Sequence, residues 1–104
     1  MKIHWYKRAA AQLHQVEQYI LRDFGEKVRK EFMDEVELAV LSLAEISTIG
    51  QVDPLFAHRK QTYRSIIVRH LNKIVYFIKD DTVFVAAFWD TRREPNNQVR
   101  QVSQ

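Results

Sequence analysis

The chain has 104 residues, 46% of them hydrophobic and 28% charged, and its 16 Lys+Arg against 13 Asp+Glu give a formal net charge of +3. Such a length predicts a single domain over residues 1–104, and the composition is that of an ordinary globular chain. Two glycines, two prolines and no cysteine exclude collagen-like and linker chains, disulfide frameworks, zinc fingers, thiol catalysis and iron–sulfur clusters.

No apolar run approaches the roughly 20 residues that span a bilayer, and Met1–Arg8 lacks the apolar stretch of a secretory leader. With no cysteine, the expectation is a cytoplasmic protein without a membrane partner. The mildly basic balance admits an anionic partner without requiring one.

Residues 2–6 alternate, with Ile3 and Trp5 on one face, which predicts a short strand. From Lys7 the period changes: Ala9, Leu13, Val16, Ile20 and Phe24 step by three or four, one face of a helix. Gly25 is a natural stop, and Val28, Phe32, Val36, Ala39, Leu43 and Ile46 form the stripe of a second helix. So short a connection implies an antiparallel helical hairpin. Residues 47–61 lose periodicity around Gly50 and Pro54 and read as a loop that carries the basic cluster His58-Arg59-Lys60.

Three strands are predicted to follow, over Thr62–Arg69, Lys73–Lys79 and Thr82–Trp89. Asp80-Asp81 suits a two-residue hairpin turn because Asp tolerates the left-handed region, and His70 falls in the other, exposed turn. Apolar residues occupy both parities of the last two strands, as in central strands covered on both faces. Residues 90–104 are polar, and 96–104 are expected to be loose. The fold class is α+β: an N-terminal strand, a helical hairpin and a three-stranded antiparallel meander, with the helices on one face and the first strand inserted into the same sheet.

There is no glycine-rich phosphate loop, no His-Glu-x-x-His and no Gly-x-Ser-x-Gly. The histidines His4, His14, His58 and His70 share no ligand spacing, so no metal is expected. What remains is cationic: Arg64, Lys73, Arg92 and Arg93 sit in or beside strands that turn-linked pairing brings together. Guanidinium groups in that position clamp phosphates, whereas cations at strand ends equally serve solubility.

These segments resemble the RelE/ParE superfamily of bacterial type II toxins. The resemblance rests on Tyr63-Arg64-Ser65-Ile66-Ile67-Val68, Asn72-Lys73-Ile74-Val75-Tyr76, the acidic turn Asp80-Asp81 and Phe88-Trp89-Asp90-Thr91-Arg92-Arg93-Glu94-Pro95, in that order. It implies a toxin neutralised by a cognate antitoxin, with no cofactor and no small-molecule substrate. RelE-like members cut mRNA on the ribosome, and ParE-like members poison DNA gyrase by binding. For an mRNA endonuclease, Arg64, Lys73 and Arg92 fall near the family's phosphate-contacting cations. Ile66 falls on a family lysine, and residues 94–104 contain neither Tyr nor His to serve as general acid or base. Losing such a group removes about 10²–10⁴-fold in rate, so the resemblance leans to the ParE side. A non-toxic homologue that only binds its antitoxin is the third reading. Target or nucleic-acid contacts are expected at His58, Arg59, Lys60, Arg92 and Arg93. Antitoxin contacts are expected at Trp5, Leu13, Phe88 and Trp89, taken as partly exposed, where an amphipathic helix lies in a groove.

Overall fold

A computed structural model of the protein describes residues 1–69 and 71–91. The elements run β1 (Lys2–Trp5), α1 (Lys7–Phe24), α2 (Glu26–Glu45), β2 (Gln51–Val52), a 3₁₀ turn (Pro54–Phe56), β3 (Arg64–Val68), β4 (Asn72–Lys79) and β5 (Thr82–Asp90).

Gly25 ends α1 and begins α2 in one residue. Its φ of 91° and ψ of 175° lie in a region only glycine occupies readily. Its N–H donates to the Leu21 carbonyl and its own carbonyl accepts from Arg29 N–H, both at 3.1 Å, so the chain reverses without an unpaired backbone group. Arg29 fastens the hairpin: its guanidinium donates to Glu17 across the two helices at 2.8 Å and also to Glu26. Hydrogen bonds to Glu26 and then to Glu17 hold the Arg29 guanidinium above its ordinary pKa, and the bond to Arg29 holds the Glu26 carboxyl below its own.

The sheet order is β1-β5-β4-β3-β2. It is mixed, where an antiparallel sheet was expected: β1 runs parallel to β5, and every other pair is antiparallel. A parallel pair needs a crossover, and the whole stretch from α1 to β4 supplies it. The expected loop over 47–61 also contains β2 and the 3₁₀ turn, and β3 begins at Arg64 rather than Thr62. A two-residue strand is too short to show a period of two in the sequence. The turn between β4 and β5 is as expected, with Asp80 at φ 51° and Asp81 at φ 60°, the paired positive φ of a type I′ hairpin.

The register of β4 on β5 shifts between Val75, opposite Ala87, and Tyr76, opposite Val85. Ala86 is the extra residue of a β-bulge, which reverses the facing of β5 from there on. Val83 and Val85 before the bulge and Phe88 after it join Ala9, Phe32, Val36, Leu43, Ile74 and Tyr76 in a core beneath the helices. The opposite face has its own core of Phe56, Tyr63, Val75, Phe77, Ala86, Ala87 and Trp89. Two cores account for the double-parity apolar pattern of β4 and β5.

Candidate functional site

The candidate cations Arg64 and Lys73 do not converge. Arg64 lies opposite Tyr76 in the sheet register, on the helix-covered face. Its Nη1 donates to the Gly50 carbonyl at 2.9 Å. Gly50 N–H donates to the Tyr76 hydroxyl at 2.9 Å, and that hydroxyl donates to the Ser47 carbonyl at 2.7 Å. The three residues thus clamp the chain where it leaves α2 for the sheet. A Cβ on Gly50 would lie 2.5 Å from the Tyr76 hydroxyl oxygen and 2.8 Å from the Ser65 carbonyl oxygen, so close approach, not a special φ, requires glycine here. Burial raises the Tyr76 phenol above its ordinary pKa, and burial does the same to Tyr63.

Lys73 points to the other face, in step with Val75 and Phe77. Its Nζ meets Asp53 Oδ2 at 2.7 Å, with the side chains only 11% and 3% exposed. Asp53 Oδ1 also accepts Leu55 N–H at 3.0 Å, and Asp53 N–H donates to the Tyr63 carbonyl at 2.8 Å. The ion pair pins the 3₁₀ turn, and with it Phe56 and Tyr63, onto the second core. Lys73 is therefore neither a solvated strand end nor an open phosphate contact. The sequence reading missed Asp53, although an Asp directly before a Pro, an N-cap followed by a first-turn proline, is a legible signal.

Phe88 and Trp89, expected to be partly exposed, are 0% and 2% exposed. The bulge turns them to opposite faces, and both faces are filled. Phe88 packs edge to face on Phe32 at 6.0 Å, and its N–H donates to Gln12 Oε1 at 2.9 Å. The Trp89 indole N–H has no hydrogen-bond partner among the described residues. Trp5 and Leu13 are half-buried against the helix-side core. His58 and Lys60 are exposed and Arg59 is half-buried, with its guanidinium 6.0 Å from the centre of the Phe56 ring. Arg92, Arg93, His70 and the 96–104 tail lie outside the described residues.

A groove of about 590 Å³ opens between the helical hairpin and the end of the sheet. Val16, Tyr19 and Ile20 of α1, Phe24, and Val28 and Phe32 of α2 form its apolar wall, and Arg69, Asn72 and Asp90 give it a polar end. Phe88 and Trp89 also border it, but at 0% and 2% exposed they present almost no surface of their own there. Tyr19 is 46% and Phe24 60% exposed at the rim. No group of three or more His, Asp or Glu residues able to hold a metal occurs among the described residues, and no helix there is long and apolar enough to cross a membrane.

The family model of the ParE toxin of the type II toxin–antitoxin system parDE matches residues 3–95. A solved chain of the chromosomal ParDE TA system from P. aeruginosa is similar in fold, with a TM-score of 0.70 over 86% of this chain and 95% of that one, at 14% identity. No curated protein matches the sequence.

Proposed function

The chain belongs to the ParE toxin family of type II toxin–antitoxin systems, and from that premise we propose that it is the toxin of such a pair, acting on DNA gyrase by binding. The cognate antitoxin lays an amphipathic helix into the groove between the hairpin and the sheet, with apolar side chains against Val16, Ile20 and Val28 and polar ones toward Arg69 and Asn72. The rim residues Tyr19 and Phe24 extend the same apolar surface, which suits a wrapped segment.

The observation that carries the choice of a binding toxin over an endonuclease is the separation of Arg64 from Lys73. Phosphoryl chemistry on RNA needs its cations around one phosphate. Here they sit on opposite faces of the sheet, one holding the Gly50 carbonyl and the other Asp53. The protein acts in the bacterial cytoplasm and maintains the plasmid or chromosomal segment that encodes it.

Regulated expression of the chain in bacteria tests the reading. Growth arrest with induction of the SOS response, relieved by co-expression of the adjacent antitoxin gene, is the expected result. Tyr19→Glu, at a groove position 46% exposed, should keep the fold and the arrest but lose relief. Arrest without an SOS response, or with mRNA cut at ribosome-bound codons, would replace gyrase by the ribosome as target. Absence of arrest would leave the chain as an antitoxin-binding homologue.

A further inference from the structure

The sheet face away from the helices carries, at the β1–β5–β4 end, two adjacent rows of different chemistry. Strand register places Lys2, Thr82 and Lys79 side by side across the three strands, and His4, Phe84 and Phe77 side by side one row along. The six share a face because Ile3, Trp5, Val83 and Ile78, at the intervening positions, belong to the helix-side core. Neighbouring strands lie about 4.8 Å apart, and successive residues on one face of a strand lie about 6.7 Å apart. The two rows are therefore roughly one nucleotide step from each other.

The aromatic row is open to solvent at one end. His4 is exposed and Phe84 half-buried, whereas Phe77 at the other end of the row is closed off. Phe84 stacks on Phe77 with ring centres 5.0 Å apart and 12° between planes, and His4 meets Phe84 edge to face at 5.5 Å. Tyr6 touches His4, Phe77 and Phe84 and fixes the arrangement from the side. Lys2 and Lys79 are both exposed. Among the described residues, no strand position on this face is acidic. Asp53, the carboxylate that reaches it from the 3₁₀ turn, is already neutralised by Lys73. Asp80 and Asp81 stand beyond the cationic row, in the hairpin turn itself.

We propose that this face binds an unpaired nucleic-acid segment, with bases stacking over His4 and Phe84 and phosphates held by Lys2 and Lys79. Every base presents a π-face, so aromatic platforms beside cations hold single strands with little sequence preference. A protein partner would find here two exposed lysines rather than an apolar patch with a polar rim. The site is separate from Arg64, from Lys73 and from the groove assigned to the antitoxin, so it stands or falls independently of the gyrase reading.

The test is fluorescence anisotropy of the purified protein with labelled oligo(dT) and oligo(U) at low salt, with a duplex as competitor. Single strands should bind and outcompete the duplex. Phe84→Ala and His4→Ala should each weaken binding by about 10-fold. Lys2→Glu/Lys79→Glu, an exposed pair whose change leaves the core intact, should flatten the slope of log K against log salt by roughly 1.4. Circular dichroism and urea midpoints confirm that each variant is folded. No binding at low salt would overturn the proposal. So would binding that the lysine pair does not alter, preference for duplex, or folded Phe84→Ala and His4→Ala variants that bind as tightly as the parent.

Discussion

Replacing Lys73 by Met separates a structural lysine from a catalytic one. Methionine keeps a flexible apolar stem of similar reach and removes the ammonium. Asp53, 3% exposed, is then a buried carboxylate that still accepts from the Leu55 N–H at 3.0 Å but has lost its countercharge. Removing one partner of a buried pair costs about 3–5 kcal/mol, because the other charge stays desolvated and uncompensated. That is a large share of the about 5–15 kcal/mol that holds a domain folded. With an m value near 1.2 kcal/mol/M, the urea midpoint should fall by roughly 2.5–4 M. The loss should persist at about 1 M salt, since buried pairs are little screened. Asp53→Asn/Lys73→Met restores a neutral pair, keeps an acceptor for Leu55 N–H, and should recover most of the loss. A Lys73→Met protein with the parent midpoint, or a double variant no better than the single, would refute the reasoning. If an unchanged midpoint came with lost toxicity, Lys73 would be a functional cation after all.

The Gly50 clamp should be as sensitive. Gly50→Ala forces its Cβ against the Tyr76 hydroxyl and the Ser65 carbonyl and should cost about 2–5 kcal/mol from overpacking and lost hydrogen bonds. Tyr76→Phe leaves the Gly50 N–H and the Ser47 carbonyl without their partner and should cost about 1–3 kcal/mol; denaturant melts check both. Gly25→Ala meets no neighbouring atom but places a side chain at φ 91°. It should cost about 1–3 kcal/mol from backbone strain alone; a stabilised variant would contradict this. The folded-state pKa of Glu26 is depressed by Arg29, so the contribution of that pair is present above the unfolded value of about 4.5 and is lost as pH falls through the lower folded value. Tyr63 and Tyr76 are raised by burial. Their contribution is complete below the unfolded value of about 10 and is lost as pH rises through the higher folded values. Thermal melts across pH, followed alongside phenolate absorbance, check both limbs. Arg29→Gln should erase the Glu26 component of the acid limb and leave the alkaline one.

The elements that were legible share a local cause. Gly25 and Asp80-Asp81 are punctuation marks whose backbone needs are met by their own residue types, and the α1 stripe from Ala9 to Phe24 follows a single period. What was not legible depends on partners distant in sequence. Nothing near Lys73 tells that Asp53, 20 residues earlier, neutralises it. Nothing near Arg64 tells that the Gly50 carbonyl takes its guanidinium. A meander suggests that the candidate nuclease cations lie close together, whereas alternation along the strands sends Arg64 and Lys73 to opposite faces. For Phe88 and Trp89 the expectation is partial exposure, and the sequence around them does not correct it. The bulge at Ala86, which a run of both-parity apolar residues conceals, decides which face each takes, and both faces are packed. A groove for an amphipathic helix is an expectation of the resemblance, but its wall residues Val16, Ile20, Val28 and Phe32 read in the sequence simply as helix core.

The central claim, a ParE-family toxin that acts on gyrase by binding, is tested most directly with purified gyrase, supercoiled plasmid and ATP. Added protein should trap double-strand-cleaved plasmid in proportion to its concentration, and the antitoxin should abolish the trapping. Undisturbed supercoiling with no cleaved DNA, from protein that arrests growth in cells, would contradict the account.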